Sequence, residues 1–509
     1  MKLIIISFLV SAILFTVTCF SQQVIAKYGV FEITFEQSIN GNPFLDVQLS
    51  AVFEHQDYKT KVSGFYDGDG KFKIRFMPHL EGTWSYRTKS NLKTLDNQNG
   101  SFDCVQPSEK IHGVVRIANT YFFEYDDGTP FYPFGTTCYA WIHQSEDIQM
   151  ETLATLKKAS FNKIRMCVFP KWYDFNRSEP EIYPYQGTAP NHWDFWRFNP
   201  EFFHHLENRI AQLNQLGIEC DLILFHPYDE GHWGFDRMTD EQDDFYLRYI
   251  IARLSSFRNI WWSLANEYDF MKEKQKEDWD RFFKILKEED PYDHLRSIHN
   301  GVTWYDHTNP LVTHLSVQGD PWEDGGVGEG PQKIDEWKEI YKKPVIIDEM
   351  KYEGNIRYSF GDLTAKEMTD RFWYTLTKGA YATHGETYIN ARDIIWWAKG
   401  GKLYGESPKR ISFLRKIVEN APQSGMEVYK GIEEDGNAVR VGEKYFLFYF
   451  GARQPAERWL KLPNDKKYKL DIIDTWNMTI KALDGHYSGR TLIKLPGKPY
   501  TAIRAILVE

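Results

Sequence analysis

Two stretches of the 509-residue sequence run through apolar residues and stop in acid: "IWWSLANEYD" (260–269) and "KKPVIIDEMKYEG" (342–354). Each reads as a buried strand with polar last residues, Asn266 and Glu267 in the first, Asp348 and Glu349 in the second. Two carboxylates presented alike are what cleavage of a glycosidic bond requires. One holds a proton for the leaving oxygen while the other attacks the anomeric carbon or activates water. Placed together they also take different states, because like charges in one site resist joint ionisation. The plainer reading of Glu267 is a helix-capping acid, since a charged helical stretch follows it. The rival to Glu349 is its neighbour Asp348, and alternation along a strand predicts that only one of the two faces inward.

What could bring two such strand ends together is the rhythm of the chain from 112 to 422. Short apolar runs alternate with amphipathic helical stretches: "FYPFGTT" (131–137), "FNKIRMCVFP" (161–170), "ECDLILFHP" (219–227), the 260s strand, "LRSIHNG" (295–301), "LVTHLSVQGD" (311–320), the 340s strand and "THGETY" (383–388). In "PEFFHHLENRIAQLNQLG", Phe203, Leu206, Ile210 and Leu213 share one helical face and Gly217 sits at the stop. Eight such units predict a (β/α)8 TIM barrel, and no glycine-rich phosphate loop follows the first strand as a dinucleotide fold would need. Residues 24–108 alternate apolar and polar positions ("VFEITFEQ", "FLDVQLSAVFEH") and predict an Ig-like β-sandwich. Residues 424–509 turn β-rich again and read as a second sandwich. The expected architecture is a multidomain α/β chain with a central barrel between two β domains.

In such a barrel the chemistry collects where strands end. The ends supply Thr137 and Tyr139, Arg165, His226, Asn266 and Glu267, His299 and Asn300, Gln318 and Asp320, Glu349, and Glu386 with Tyr388. Arg165 reads as an active-site cation or as half of a buried ion pair. His226 and His299 read as substrate contacts or as satisfied structural histidines, and Glu386 as a sugar-hydroxyl acceptor or a brace for Arg165. Trp397 is one of seven tryptophans in or near these loops, with Trp141, Trp172, Trp233, Trp304, Trp322 and Trp396. Some are expected to stack on sugar rings and at least half to pack.

The formal charge of −10 argues against nucleic-acid binding, which needs a basic face. Aromatic residues make up 16% of the chain, which suits large cores or flat apolar ligand faces such as sugars. Five cysteines lie far apart, without zinc spacing, so neither a disulfide framework nor a metal or other cofactor is expected. Residues 1–21 have the layout of a secretory signal peptide, which predicts a secreted or periplasmic protein with no integral membrane segment after cleavage. Cys19 offers a lipid anchor as an alternative, although Thr16 stands where a lipobox wants Leu.

On "LANEYD" and "VIIDEM" the barrel resembles the clan A glycoside hydrolases, whose acid/base follows an Asn at the end of the fourth strand and whose nucleophile ends the seventh. The whole mature chain resembles a group of bacterial secreted proteins that join an N-terminal sandwich, a clan A barrel and a C-terminal β domain, and "WWAKGGKLYGESPKRISFLRKI" matches that group too. The resemblance implies a retaining hydrolase of a carbohydrate substrate. Glu267 would be acid/base and Glu349 nucleophile, Asn266 would bond the sugar 2-hydroxyl, and Arg165 would keep Glu349 ionised. It also favours Glu349 over Asp348. Many clan members place an aromatic hydroxyl near the nucleophile from the sixth strand; here that strand ends in "SVQGD", so Gln318 or a loop tyrosine must substitute. Two rivals are a metal-dependent amidohydrolase using His226, His299 and His314, which lacks the His-x-His pair at the first strand, and a non-catalytic glycan-binding protein on a decayed barrel.

Overall fold

The computed structural model describes residues 23–107, 111–318, 330–422, 424–433 and 436–508. Residues 1–22 with Cys19, and Asp320 and Trp322, lie outside these ranges.

The barrel strands are β1 (Phe134–Thr137), β2 (Lys163–Cys167), β3 (Glu219–Phe225), β4 (Ile260–Ala265), β5 (Arg296–Ser297), β6 (Leu315–Gln318), β7 (Val345–Glu349) and β8 (Tyr381–His384). They form one eight-stranded sheet in the order β5-β4-β3-β2-β1-β8-β7-β6, and a parallel bridge between His299 and Ser316 closes β5 onto β6. Every residue of β1 to β5 is buried, the state of parallel strands covered on both faces. Strand β8 starts at Tyr381, two residues before the predicted run; Glu386–Thr387 pairs separately with Glu353–Gly354. An antiparallel sheet (Val115–Ala118, Phe122–Tyr125, Pro130–Phe131) plugs the floor, where the Phe123 and Phe131 rings lie 5.3 and 5.9 Å from Trp261.

Around the barrel lie α1 (Glu146–Lys158), α2 (Pro200–Gln215), α3 (Asp240–Leu254), α4 (Lys276–Glu289), α5 (Gly330–Tyr341), α6 (Ala365–Thr377) and α7 (Ser407–Glu419). In α2 the predicted stripe of Phe203, Leu206, Ile210 and Leu213 is fully buried, and Asn199 caps the start by accepting from Glu201 N. Capping boxes at Thr239–Gln242 and Thr364–Glu367 fix the starts of α3 and α6. Among the described residues no helix is long and apolar enough to cross a membrane.

The N-terminal sandwich sets a five-stranded sheet against a three-stranded one, with Phe31 stacked on Phe102 (3.9 Å) and Phe53 on Phe76 (4.1 Å). The run predicted as one strand from "FLDVQ" begins instead at Leu49. Asn42 caps a helical turn over Pro43–Asp46, and Pro43 at its first position favours that turn. Buried ions join the sandwich to the barrel: Arg75 and Arg253 grip Glu207 (2.7 and 2.6 Å), and Arg253 also reaches Asp67 (2.7 Å). Such charges are tolerable inside because each is paired. Asn42 and Arg197 further tie the sandwich to the hairpin Tyr185–Thr188/His192–Phe198 in the loop after β2. The C-terminal domain packs a six-stranded sheet on α6, where Tyr449 donates to Asp370 (2.6 Å). All four described cysteines are buried and unpaired.

Candidate active site

Glu349 is the last residue of β7, and Glu267 comes two residues after the end of β4, so both stand at the same mouth of the barrel. Glu267 has φ +50° and ψ 56°, a left-handed backbone that non-glycine residues rarely adopt and that clusters at functional sites. Its Oε2 accepts from Tyr228 Oη and from Asn266 Nδ2 (3.0 Å). With its amide turned so that Nε2 meets acceptors, Gln318 donates to Glu267 Oε1 (3.1 Å) and to Asn300 O (3.2 Å). The Tyr139 hydroxyl lies between Asn266 Oδ1 (2.9 Å) and Glu349 Oε1. Tyr139 thus has its one hydroxyl proton within reach of Glu349 and of the same Asn266 amide that donates to Glu267.

Their electrostatics differ. Burial, followed by the Glu349 charge, pushes Glu267 up to about 7, against the opposing pull of Lys171 and the Tyr228 hydrogen bond. Beneath Glu349 lies Arg165, fully buried, with Nη1 3.5 Å from Glu349 Oε1 and Nη2 3.2 Å from Asn266 Oδ1. Below that, Lys163 bridges Asp221 (2.6 Å) and Asp348 (2.8 Å). Asp348 also accepts from Ser316 and Thr383 (both 2.6 Å). Burial alone would raise Asp348, but Lys163 and Arg165 hold it far below the usual carboxylate range.

Lys171, in the loop after β2, is buried with its ammonium over three rings: Tyr139 (3.6 Å), Tyr228 (4.0 Å) and Tyr173 (4.9 Å). Trp397 closes the wall beside them, its ring 5.8 Å from Tyr139 and 5.3 Å from Tyr352. The arrangement puts an acid that holds its proton near neutrality across from a carboxylate flanked by a cation, inside an aromatic pocket.

A model of the apiosidase-like catalytic domain matches residues 117–422. Domain of unknown function (DUF5060) matches 24–91, and domain of unknown function (DUF5605) matches 435–506. The solved structure of a candidate glycoside hydrolase from Bacteroides vulgatus is 40% identical, with a TM-score of 0.90 over 96% of this chain and 100% of that one. The chain belongs to the apiosidase-like family. It is a glycoside hydrolase. A family 5 glycoside hydrolase from the same organism, 16% identical with a TM-score of 0.60 over 78% of this chain and 93% of that one, shares the fold. No curated protein matches the chain.

The sequence-predicted site residues now divide. Tyr139, Arg165, Asn266, Glu267, Gln318, Glu349 and Trp397 come together. His226 does not face the pocket: its Nε2 meets Phe169 O (3.1 Å), its Nδ1 accepts from Tyr228 N (3.2 Å), and burial pushes it down to about 3. It braces the loop that carries Tyr228. His299 is fully buried in the barrel interior, and burial pushes it well below its ordinary value. Glu386 contacts neither the pocket nor Arg165; the backbone amides of Tyr404 (2.5 Å) and Gly405 (2.8 Å) fill its oxygens. The rule that one of Asp348 and Glu349 faces inward also fails. Both reach Arg165, because a register shift beside Val317/Gln318 breaks the alternation there. Of the tryptophans, Trp141, Trp233 and Trp396 are core.

Sequence reasoning missed Lys171, Tyr173, Tyr228 and Tyr352. All four sit in loops past the strand ends, in "VFPKWYD", "HPYD" and "DEMKYEG". A search for polar residues up to six beyond each strand would have found them. The aromatic hydroxyl near Glu349 comes from Tyr139 after β1, not from β6. Among the described residues, the group close enough to share a metal is Glu353, His384 and Glu386. Both its carboxylates are filled by N–H groups of 404–407, and a side chain at Gly405 would sit 2.6 Å from the Glu353 carboxyl.

Proposed function

We propose that the protein hydrolyses a β-type glycosidic bond in a plant or algal polysaccharide or oligosaccharide by double displacement. Glu267 gives its proton to the leaving oxygen as Glu349 attacks the anomeric carbon. Water then loses a proton to Glu267 and displaces Glu349, so the product keeps its configuration. The observation that carries this reading is the contrast within one linked pair: Glu267, pushed up to about 7, holds a proton, while Glu349 stands over Arg165. Asn266, Gln318 and Trp397 are the residues assigned to the sugar. The family name directs the first substrate trial to apiose-bearing plant glycans. The signal-like residues 1–21 support action in the periplasm or outside the cell.

Glu349→Ala and Glu267→Ala provide the test. Each is expected to lose activity by about 10²-fold or more. Azide should partly restore Glu349→Ala with an inverted glycosyl azide, and Glu267→Ala with a retained one. Turnover like wild type in either variant would remove the assignment.

A further inference from the structure

We infer that Lys171 is a positioning residue for the reaction: its single ammonium holds in place the two tyrosines that contact the two glutamates, Tyr139 at Glu349 and Tyr228 at Glu267. The inference rests on the reading of those glutamates as the reacting pair.

An ammonium this deeply buried ordinarily pairs with a carboxylate, because an unpaired charge is costly inside a protein. Among the described residues, no oxygen accepts a hydrogen bond from Lys171 Nζ and no carboxylate lies within ion-pair distance. Its neighbours are π faces instead, and a cation over a tyrosine ring is attracted to it. The hydroxyls of two of these rings end on the two acids. The same cation thus orients both phenols, and by drawing on their rings makes each O–H a better donor. The cage is built into the backbone. Asn176 Nδ2 donates to Lys171 O (2.7 Å), Tyr173 and Asn176 exchange backbone hydrogen bonds (3.1 and 2.9 Å), and Trp172 N donates to Tyr228 O (2.7 Å). The last bond ties the β2 loop to the β3 loop.

The charged and titratable groups facing Lys171 come from five strand ends. Besides the three tyrosines, Cys167, Glu267 and Glu349 attract it and Arg165 repels it, and its charge also reaches His226 and His299 behind the pocket wall. Burial pushes Lys171 below the ordinary lysine value, against the pull of Cys167 and the two glutamates. In return, Lys171 opposes the rise of Glu267.

The test is Lys171→Met, close in length but uncharged, assayed across pH beside wild type. The expected result is a kcat lower by about 10- to 100-fold with KM little changed, and a basic limb moved to higher pH. In Lys171→Met/Tyr228→Phe the combined loss should be smaller than the product of the single losses, since both changes release one tyrosine hydroxyl. A Lys171→Met profile superimposable on wild type, or strictly multiplicative losses, would overturn the inference. If Lys171→Met does not fold, Lys171→Gln is measured in the same assays. Glu267→Gln and Glu349→Gln separate the two levels. Wild-type turnover in these would remove the reacting pair itself, whereas inactive glutamine variants beside an unshifted Lys171→Met profile would remove only the role of Lys171.

Discussion

The protein sets two pairs of glutamates near the mouth of one barrel, Glu267 with Glu349 and Glu353 with Glu386. A raised carboxylate in each does not tell them apart. Burial pushes Glu267 up to about 7 and Glu386 up to about 8, and each has a second carboxylate as a smaller cause. Their partners do. Glu267 and Glu349 face side-chain donors: tyrosine hydroxyls, the Asn266 and Gln318 amides, and Arg165. Those donors can turn to a substrate. Glu353 and Glu386 instead take the backbone N–H groups of Tyr404, Gly405, Glu406 and Ser407, with the Ser407 and Tyr388 hydroxyls added. They latch the loop that leads into α7 and supply its N-terminal acceptor. A perturbed carboxylate marks a reacting group only when its partners can be exchanged.

The largest effects expected from this contrast fall on activity. Glu349→Ala and Glu267→Ala should be nearly inactive yet melt close to wild type, a combination that circular dichroism and rate assays read together. Glu353→Ala should do the reverse. It leaves the buried Ser407 donors and the partly buried ones at Glu406 and Tyr388 unpaired, at a cost of about 2–4 kcal/mol by chemical denaturation, while folded protein keeps a kcat near wild type. Loss of activity in Glu353→Ala without loss of stability would dissolve the distinction.

A smaller effect is the pH profile. Glu267 must carry its proton to act, so kcat/KM should fall as pH rises through about 7. A rate that stays flat to pH 9 would contradict the acid role. A further effect is on stability at Glu386. Its folded value lies above the ordinary 4.5, so between about 4.5 and 8 the folded state binds the extra proton, and stability falls as pH rises through that window. Glu386→Gln keeps the group neutral and should flatten that slope, which urea midpoints at pH 5 and pH 8 would show.

Much of the architecture was legible from periodicity. The strand ends of β4 and β7, the apolar face of α2 and the two flanking β domains follow from alternation and helical spacing, which burial imposes directly. What periodicity does not carry is the direction of a side chain beyond a strand end. His226 and Glu386 stood at promising ends, but each turns to backbone groups that only the folded loops bring near. Asp348 and Glu349 obeyed no alternation because a bulge intervened, and bulges leave little trace in composition. Lys171 and Tyr228 were missed for a related reason. The cation and the rings it holds come from loops after different strands, so their meeting is a tertiary fact.

The central claim is that Glu267 and Glu349 act as a retaining pair. Proton NMR of the first product formed from an apiose-bearing glycan, recorded before the anomers equilibrate, tests it most directly. The account predicts that the new hemiacetal appears with the configuration of the bond that was cut. Appearance of the opposite anomer first would mean that water, not Glu349, attacks the anomeric carbon.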